Sequence, residues 1–115
     1  MVIKLIDDGH EILQLSRSQS SENIVKGDLS KPSIWINRVK EFDPHTTIHL
    51  AWEGIPDFGF ETSFINFSNG IKLLRTLKKI HCERIICTGS CWEYGRNNGK
   101  LHEQLIPKST NSFTA

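Results

Sequence analysis

The sequence predicts an α/β fold, a doubly wound parallel sheet, and two observations predict it. Short apolar and β-branched runs alternate with segments of helical period along the chain. Parallel neighbours cannot be joined by a tight turn and need a crossover, which such alternation supplies. The composition is that of one globular domain: 115 residues, 37% hydrophobic and 23% charged, with 14 basic side chains against 13 acidic ones.

The elements follow in order. Val2, Ile3, Leu5 and Ile6, then Asp7, Asp8 and Gly9, are the last turns of a helix closed by a glycine. Glu11 to Ser16 is a mainly apolar run bounded by Gly9-His10 and the polar stretch Arg17 to Asn23, and is expected to be a buried strand. Ile24-Val25, ending in Gly27-Asp28-Leu29, makes a second, abbreviated strand. Ser30 is placed to cap a helix with Pro32 in its first turn; Trp35, Val39 and Phe42 give that helix one apolar face, and Pro44 ends it. Thr46 to Ala51 is the third strand, followed by an irregular loop from Trp52 to Gly59. Phe64, Phe67, Ile71, Leu74, Leu77 and Ile80 then recur every three or four residues, with Lys72, Arg75, Lys78 and Lys79 on the opposite face, which predicts a long amphipathic helix. Arg84 to Thr88 is the fourth strand, and from Cys91 the sequence turns polar and loop-like.

The same figures exclude several classes. A full apolar complement with net charge +1 argues against disorder and against the basic footprint of a nucleic-acid binder. No run approaches the roughly 18 apolar residues of a membrane span, and the first residues lack a signal pattern. Cys82, Cys87 and Cys91 are an odd number without framework spacing, so they are expected to be reduced thiols of a cytoplasmic protein. No Cys-x-x-Cys or His-x-x-x-His pair occurs, and no metal site is expected.

Ligands in doubly wound sheets bind beyond the carboxyl ends of the strands, so the informative residues are Ser16-Arg17, Asp28-Leu29, Ala51-Trp52 and Ser90-Cys91. Together with Gly9-His10-Glu11, Gly27-Asp28-Leu29, His49-Leu50-Ala51 and Thr88-Gly89-Ser90-Cys91-Trp92-Glu93-Tyr94-Gly95, they resemble the extended short-chain dehydrogenase/reductase family, and within it the sugar-nucleotide epimerases, dehydratases and reductases. The last motif is the most specific, because the family ends its fifth strand with Ser or Thr followed, five places on, by the Gly of a Tyr-Gly pair.

This resemblance implies a Rossmann-like, NAD(P)-binding domain over residues 1–115, with Ser16, Arg17, Asp28, Leu29, Leu50, Ala51 and Trp52 along the cofactor and Ser90 as the catalytic hydroxyl that orients a nucleotide-sugar substrate. An acid at the end of the first strand would bind the ribose 2′-hydroxyl of NAD, whereas a cation would neutralise the 2′-phosphate of NADP. The strand ends Ser16-Arg17, so NADP is expected and NAD is the alternative. Plainer readings stand beside these: Arg17 as a solvated loop cation, Asp28 as a capping residue, Trp52 as a loop anchor. Asn66 falls where the family often keeps an Asn that braces the active-site loop. Related enzymes often dimerise through helices of this kind, which leaves a homodimer open.

Three departures qualify the resemblance. The family's Tyr-x-x-x-Lys pair is not present: Tyr94, the only tyrosine, is followed four places on by Asn98, and Phe113 stands where the catalytic Tyr would align. The glycine-rich turn and the first strand are also missing; in the order 3-2-1-4-5-6 that strand lies between Glu11 to Ser16 and Thr46 to Ala51, so a slot one strand wide is expected in a partial sheet. Cys91-Trp92 replaces the Asp-Glu that dehydratases place after the catalytic Thr, which leaves epimerisation or reduction. The expected identity is a fragment of an NAD(P)-dependent nucleotide-sugar epimerase or reductase, inactive in isolation; the alternative is a non-catalytic binding or regulatory remnant of the fold.

Overall fold

Helix α1 (Val2–Asp7) opens the computed structural model, which describes residues 1–96, 99–111 and 113. The Gly9 N–H donates to the Ile6 carbonyl and the His10 N–H to the Leu5 carbonyl, the paired bonds that close a helix. Gly9 makes this turn at φ +86°, a conformation that costs a side-chain-bearing residue about 1 kcal/mol or more.

Two parallel ladders follow. Strand β1 (Gln14–Ser16) pairs with β2 (Ile24–Lys26), Gln14 opposite Ile24 and Ser16 opposite Lys26. Strand β3 (Thr46–His49) pairs with β4 (Arg84–Cys87), Thr46 opposite Arg84 and His49 opposite Cys87. Among the described residues no ladder joins β1 to β3, so the sheet is divided where the slot is expected. Among the described residues each strand has one ladder partner and is no longer than that partner; Ile24 adds a single bridge to Ser21. Hence β1 begins at Gln14 instead of Glu11, and β3 stops at His49 instead of Ala51.

The crossovers are α2 (Pro32–Phe42) and α3 (Phe60–Lys79). Ser30 is not the cap of α2. Lys31 takes that position without a side-chain bond, and the Ser30 N–H is already engaged by Asp28 Oδ1 at 2.7 Å. Pro32 at the first turn removes one donor that a cap would otherwise satisfy. Asp43 then ends α2 in the left-handed conformation at φ 52°, one residue before Pro44.

The core lies where the two helices meet the strands. Trp35, Leu73, Leu77 and Ile80 are buried, with Val25, Leu29, Ile36, Val39, Cys82 and Ile85 packed around them. Trp35 sits closest to the backbone: a Cβ on Gly27 would lie 2.6 Å from its Cδ1, so only glycine lets β2 turn beneath the indole. The buried row of α3 departs from the expected face. It runs through Ser63, Asn69, Leu73 and Leu77, while Phe64, Phe67 and Leu74 are exposed. The polar members belong to the N-terminal half, which faces the loop after β3 and not the apolar core. The polar C-terminal stretch contains one short 3₁₀ turn, Cys91–Tyr94. No helix of the described residues is long and apolar enough to cross a membrane.

Helix α3 ends on the same pair of bonds as α1, from His81 to Lys78 and from Cys82 to Leu77, but His81 occupies the left-handed position at φ 61°. Replacing His81 with Gly is expected to raise stability by about 0.5–1 kcal/mol, seen as a higher unfolding midpoint.

Candidate functional site

The parallel registers align the ends of β3 and β4. Beyond the last ladder pair, the Thr88 N–H donates to the His49 carbonyl at 3.2 Å and the Thr88 hydroxyl to the same oxygen at 3.3 Å. This holds Leu50-Ala51-Trp52 beside Thr88-Gly89-Ser90 and opens a cavity of about 370 Å³ between them. That volume lies within the range of small-ligand sites. Ser90 is extended there, and its Oγ accepts from the Trp92 N–H at 3.3 Å, so the hydroxyl both lines the cavity and caps the 3₁₀ turn.

Phe113 closes one side of this cavity. Its ring stands edge-on to Trp52, with centroids 4.7 Å apart, and to Phe58 at 4.8 Å. Trp52 Nε1 is buried and has no acceptor among the described atoms. His49 also lines the cavity, and burial holds its imidazole below the ordinary value. The folded chain therefore binds that proton less readily than the unfolded chain. The associated stability is complete above about pH 6.5 and is lost as pH falls through the lower folded-state value. Denaturation midpoints are expected to drop between roughly pH 7 and pH 5, with a shallower slope in His49→Asn.

A second cavity, of about 360 Å³, lies on the other side of the β3 loop and is lined by Asp28, Ser30, Glu53 and Lys72 among others. The Ser30 hydrogen bonds, then the charges of Arg17 and Lys31, hold the Asp28 carboxyl below its ordinary value against a small desolvation cost. The loop between the cavities is fixed by Asn66. Its Oδ1 accepts from the Glu53 N–H at 2.7 Å, and its Nδ2 donates to the Glu53 carbonyl at 2.9 Å and to the Thr62 carbonyl at 2.8 Å. Farther along the loop, hydrogen bonds from the Thr62 hydroxyl, then from the Gly59 N–H, hold the Asp57 carboxyl below its ordinary value.

The structure therefore brings Leu50, Ala51, Trp52 and Ser90 to one cavity and Asp28 to the other. Ser16, Arg17 and Leu29 line neither. Ser16 Oγ closes its own turn by accepting from the Ser18 and Gln19 N–H groups. Arg17 forms an ion pair with Glu53 at 2.6 Å, and Leu29 packs against the core. Asn98 lies outside the described residues. Among the described residues no group of His, Cys, Asp and Glu could hold a metal ion, and Cys82, Cys87 and Cys91 are free thiols.

Sequence reasoning passed over Glu53 and His49 as site residues. Both adjoin residues that it named, and each was within reach of the rule that the residues at a strand's carboxyl end form the site.

Comparison with known proteins agrees with this architecture. No curated protein matches the chain significantly. Among solved structures, a UDP-glucose 4-epimerase superposes with a TM-score of 0.80 at 17% identity, covering 98% of this chain and 38% of the epimerase. The Bordetella bronchiseptica enzyme WbmG in complex with NAD and UDP gives 0.75 at 17% identity, covering 98% and 40%. MoeE5 in complex with UDP-glucose and NAD gives 0.76 at 20% identity, covering 98% and 39%. The chain thus has their Rossmann-like fold and spans about two fifths of their length. A family model matches residues 1–114, and by that match the chain belongs to the NAD dependent epimerase/dehydratase family.

Proposed function

We propose that this chain is the coenzyme-binding part of an enzyme that epimerises or reduces nucleotide-linked sugars. The observation that carries the reading is the pair of cavities at the strand ends, one lined by Trp52 and the other by its neighbour Glu53 on the braced loop. A dinucleotide has two nucleoside halves, and two adjacent cavities suit it. Asp28 serves the adenosine half; Leu50, Ala51 and Trp52 face the nicotinamide half. The orphaned Trp52 Nε1 supports a ligand acceptor there, since buried donors are rarely left unpaired. A nicotinamide held there would supply hydride exchange, and Ser90 would hold the sugar oxygen.

The chain alone is expected not to turn over. By the resemblance, proton transfer at the sugar oxygen is the work of a tyrosine, and Phe113, which stands where that tyrosine would align and has no titratable proton, lines the cavity that contains Ser90. This observation also supports a second reading, a binding or regulatory relative that keeps the fold without the chemistry. Of the two coenzymes, Arg17 alone favours NADP on charge, but its guanidinium is already engaged by Glu53.

The exposed stripe Phe60, Phe64, Phe67 and Leu74 on α3 supports a homodimer through that helix. The three unpaired cysteines support a reducing compartment, the cytoplasm.

Calorimetric titration with NAD and with NADP tests the proposal. Saturable binding of at least one coenzyme is expected, lost when Ala51 is enlarged to Trp; no binding of either would overturn it. A turnover assay with UDP-hexoses separates the two catalytic readings. Activity abolished by Ser90→Ala would contradict the expected inactivity.

A further inference from the structure

The end of β1 lacks an acid, yet a carboxylate is present beside it in space. Arg17, the first residue past β1, holds Glu53 through Nη1 to Oε1 at 2.6 Å, across a separation of 36 residues. The Glu53 backbone is clamped at both its N–H and its carbonyl by Asn66, so the side chain starts from a fixed point. It lines the same cavity as Asp28 and Ser30.

We infer that Glu53 is the residue that selects the coenzyme: its carboxylate accepts from the 2′-hydroxyl of the adenosine ribose and repels a 2′-phosphate, making the site selective for NAD. This rests on the dinucleotide reading above and deepens it. The ion pair supports it. Glu53 holds Arg17 before any ligand arrives, and the charges of Arg17 and Lys31 act on Asp28, with Lys72 also lining the cavity. A ribose hydroxyl leaves the Arg17–Glu53 pair intact. A 2′-phosphate adds nearly two negative charges and must displace Glu53 from Arg17 to use that cation, with Asp28 lining the same cavity. Both members of the ion pair are largely exposed, at 62% and 47%, so the pair itself stabilises the fold little. Its consequence lies in which ligand Arg17 can serve: while Glu53 holds it, the cation read from sequence as a mark of NADP is neutralised.

The test is the ratio of dissociation constants for NAD and NADP, measured by calorimetry on the chain and three variants. The unaltered chain is expected to favour NAD. Glu53→Gln should shift the ratio toward NADP by about tenfold, because it removes one charged hydrogen-bond acceptor and frees Arg17. Arg17→Met should leave NAD binding in place and weaken NADP further, and Glu53→Gln with Arg17→Met should erase the gain. Both side chains are solvent-facing, and unfolding midpoints recorded alongside confirm that each variant is folded. NAD binding with a ratio unchanged by Glu53→Gln, or preference of the unaltered chain for NADP, would overturn the role of Glu53 and leave the dinucleotide reading standing. Binding of neither coenzyme would overturn both.

Discussion

Trp35→Ala is expected to abolish cooperative folding. Trp35 is 1% exposed and is the largest of the four buried apolar residues among the described residues, so its removal takes away the centre on which the partly buried Val25, Leu29 and Val39 pack. Truncating a buried tryptophan costs about 3–5 kcal/mol, a large share of the stability of a domain this size. The indole also donates from Nε1 to the Asp28 carbonyl at 2.8 Å, which ties the core to the turn that carries a proposed cofactor contact. Trp35→Phe separates the two roles. It keeps most of the apolar body, removes one of two hydrogen bonds to the Asp28 carbonyl, which still accepts from the Lys31 N–H at 3.0 Å, and should cost about 1–2 kcal/mol. Thermal denaturation followed by far-UV circular dichroism distinguishes them. A midpoint for Trp35→Ala within a few degrees of the unaltered chain would show that the core lies elsewhere.

Asn66→Leu should damage the site more than the fold. Three hydrogen bonds disappear, two of them to the backbone of Glu53, but the freed groups lie near solvent and find water. The stability cost should stay near 1–2 kcal/mol. Coenzyme affinity should fall by about tenfold or more, because Trp52 and Glu53 line different cavities and move together once the brace is gone. Affinity unchanged in a folded Asn66→Leu chain would mean that the loop is positioned by something other than this side chain.

What sequence could and could not disclose divides along physical lines. Helices α2 and α3 were legible because the period of apolar side chains is imposed by the helix itself, and the glycine closing α1 was legible because φ +86° admits little else. The division between β1 and β3 followed from strand order alone. Ser30 misled as a cap because α2 begins one residue later, with Lys31 at the cap and Pro32 in the first turn, while the Ser30 N–H closes a turn on Asp28. The buried row of α3 misled for a different reason. Phe64 and Phe67 are apolar and correctly spaced, yet the helix turns Ser63 and Asn69 inward instead, and it is the neighbouring loop that decides. Glu53 was illegible as the partner of Arg17 because nothing local links residues 36 apart; only the closing of the two ladders brings them together.

The central claim is that a dinucleotide lies across the carboxyl ends of β1 to β4. Backbone amide shifts recorded by NMR during titration of the isotope-labelled chain with NAD test it most directly. The account predicts saturable shifts at Asp28, at Leu50 to Trp52 and at Ser90, with α1 unaffected. Shifts confined to Phe60 and Phe67 on the exposed face of α3, or no shift at those strand-end amides at millimolar coenzyme, would contradict it.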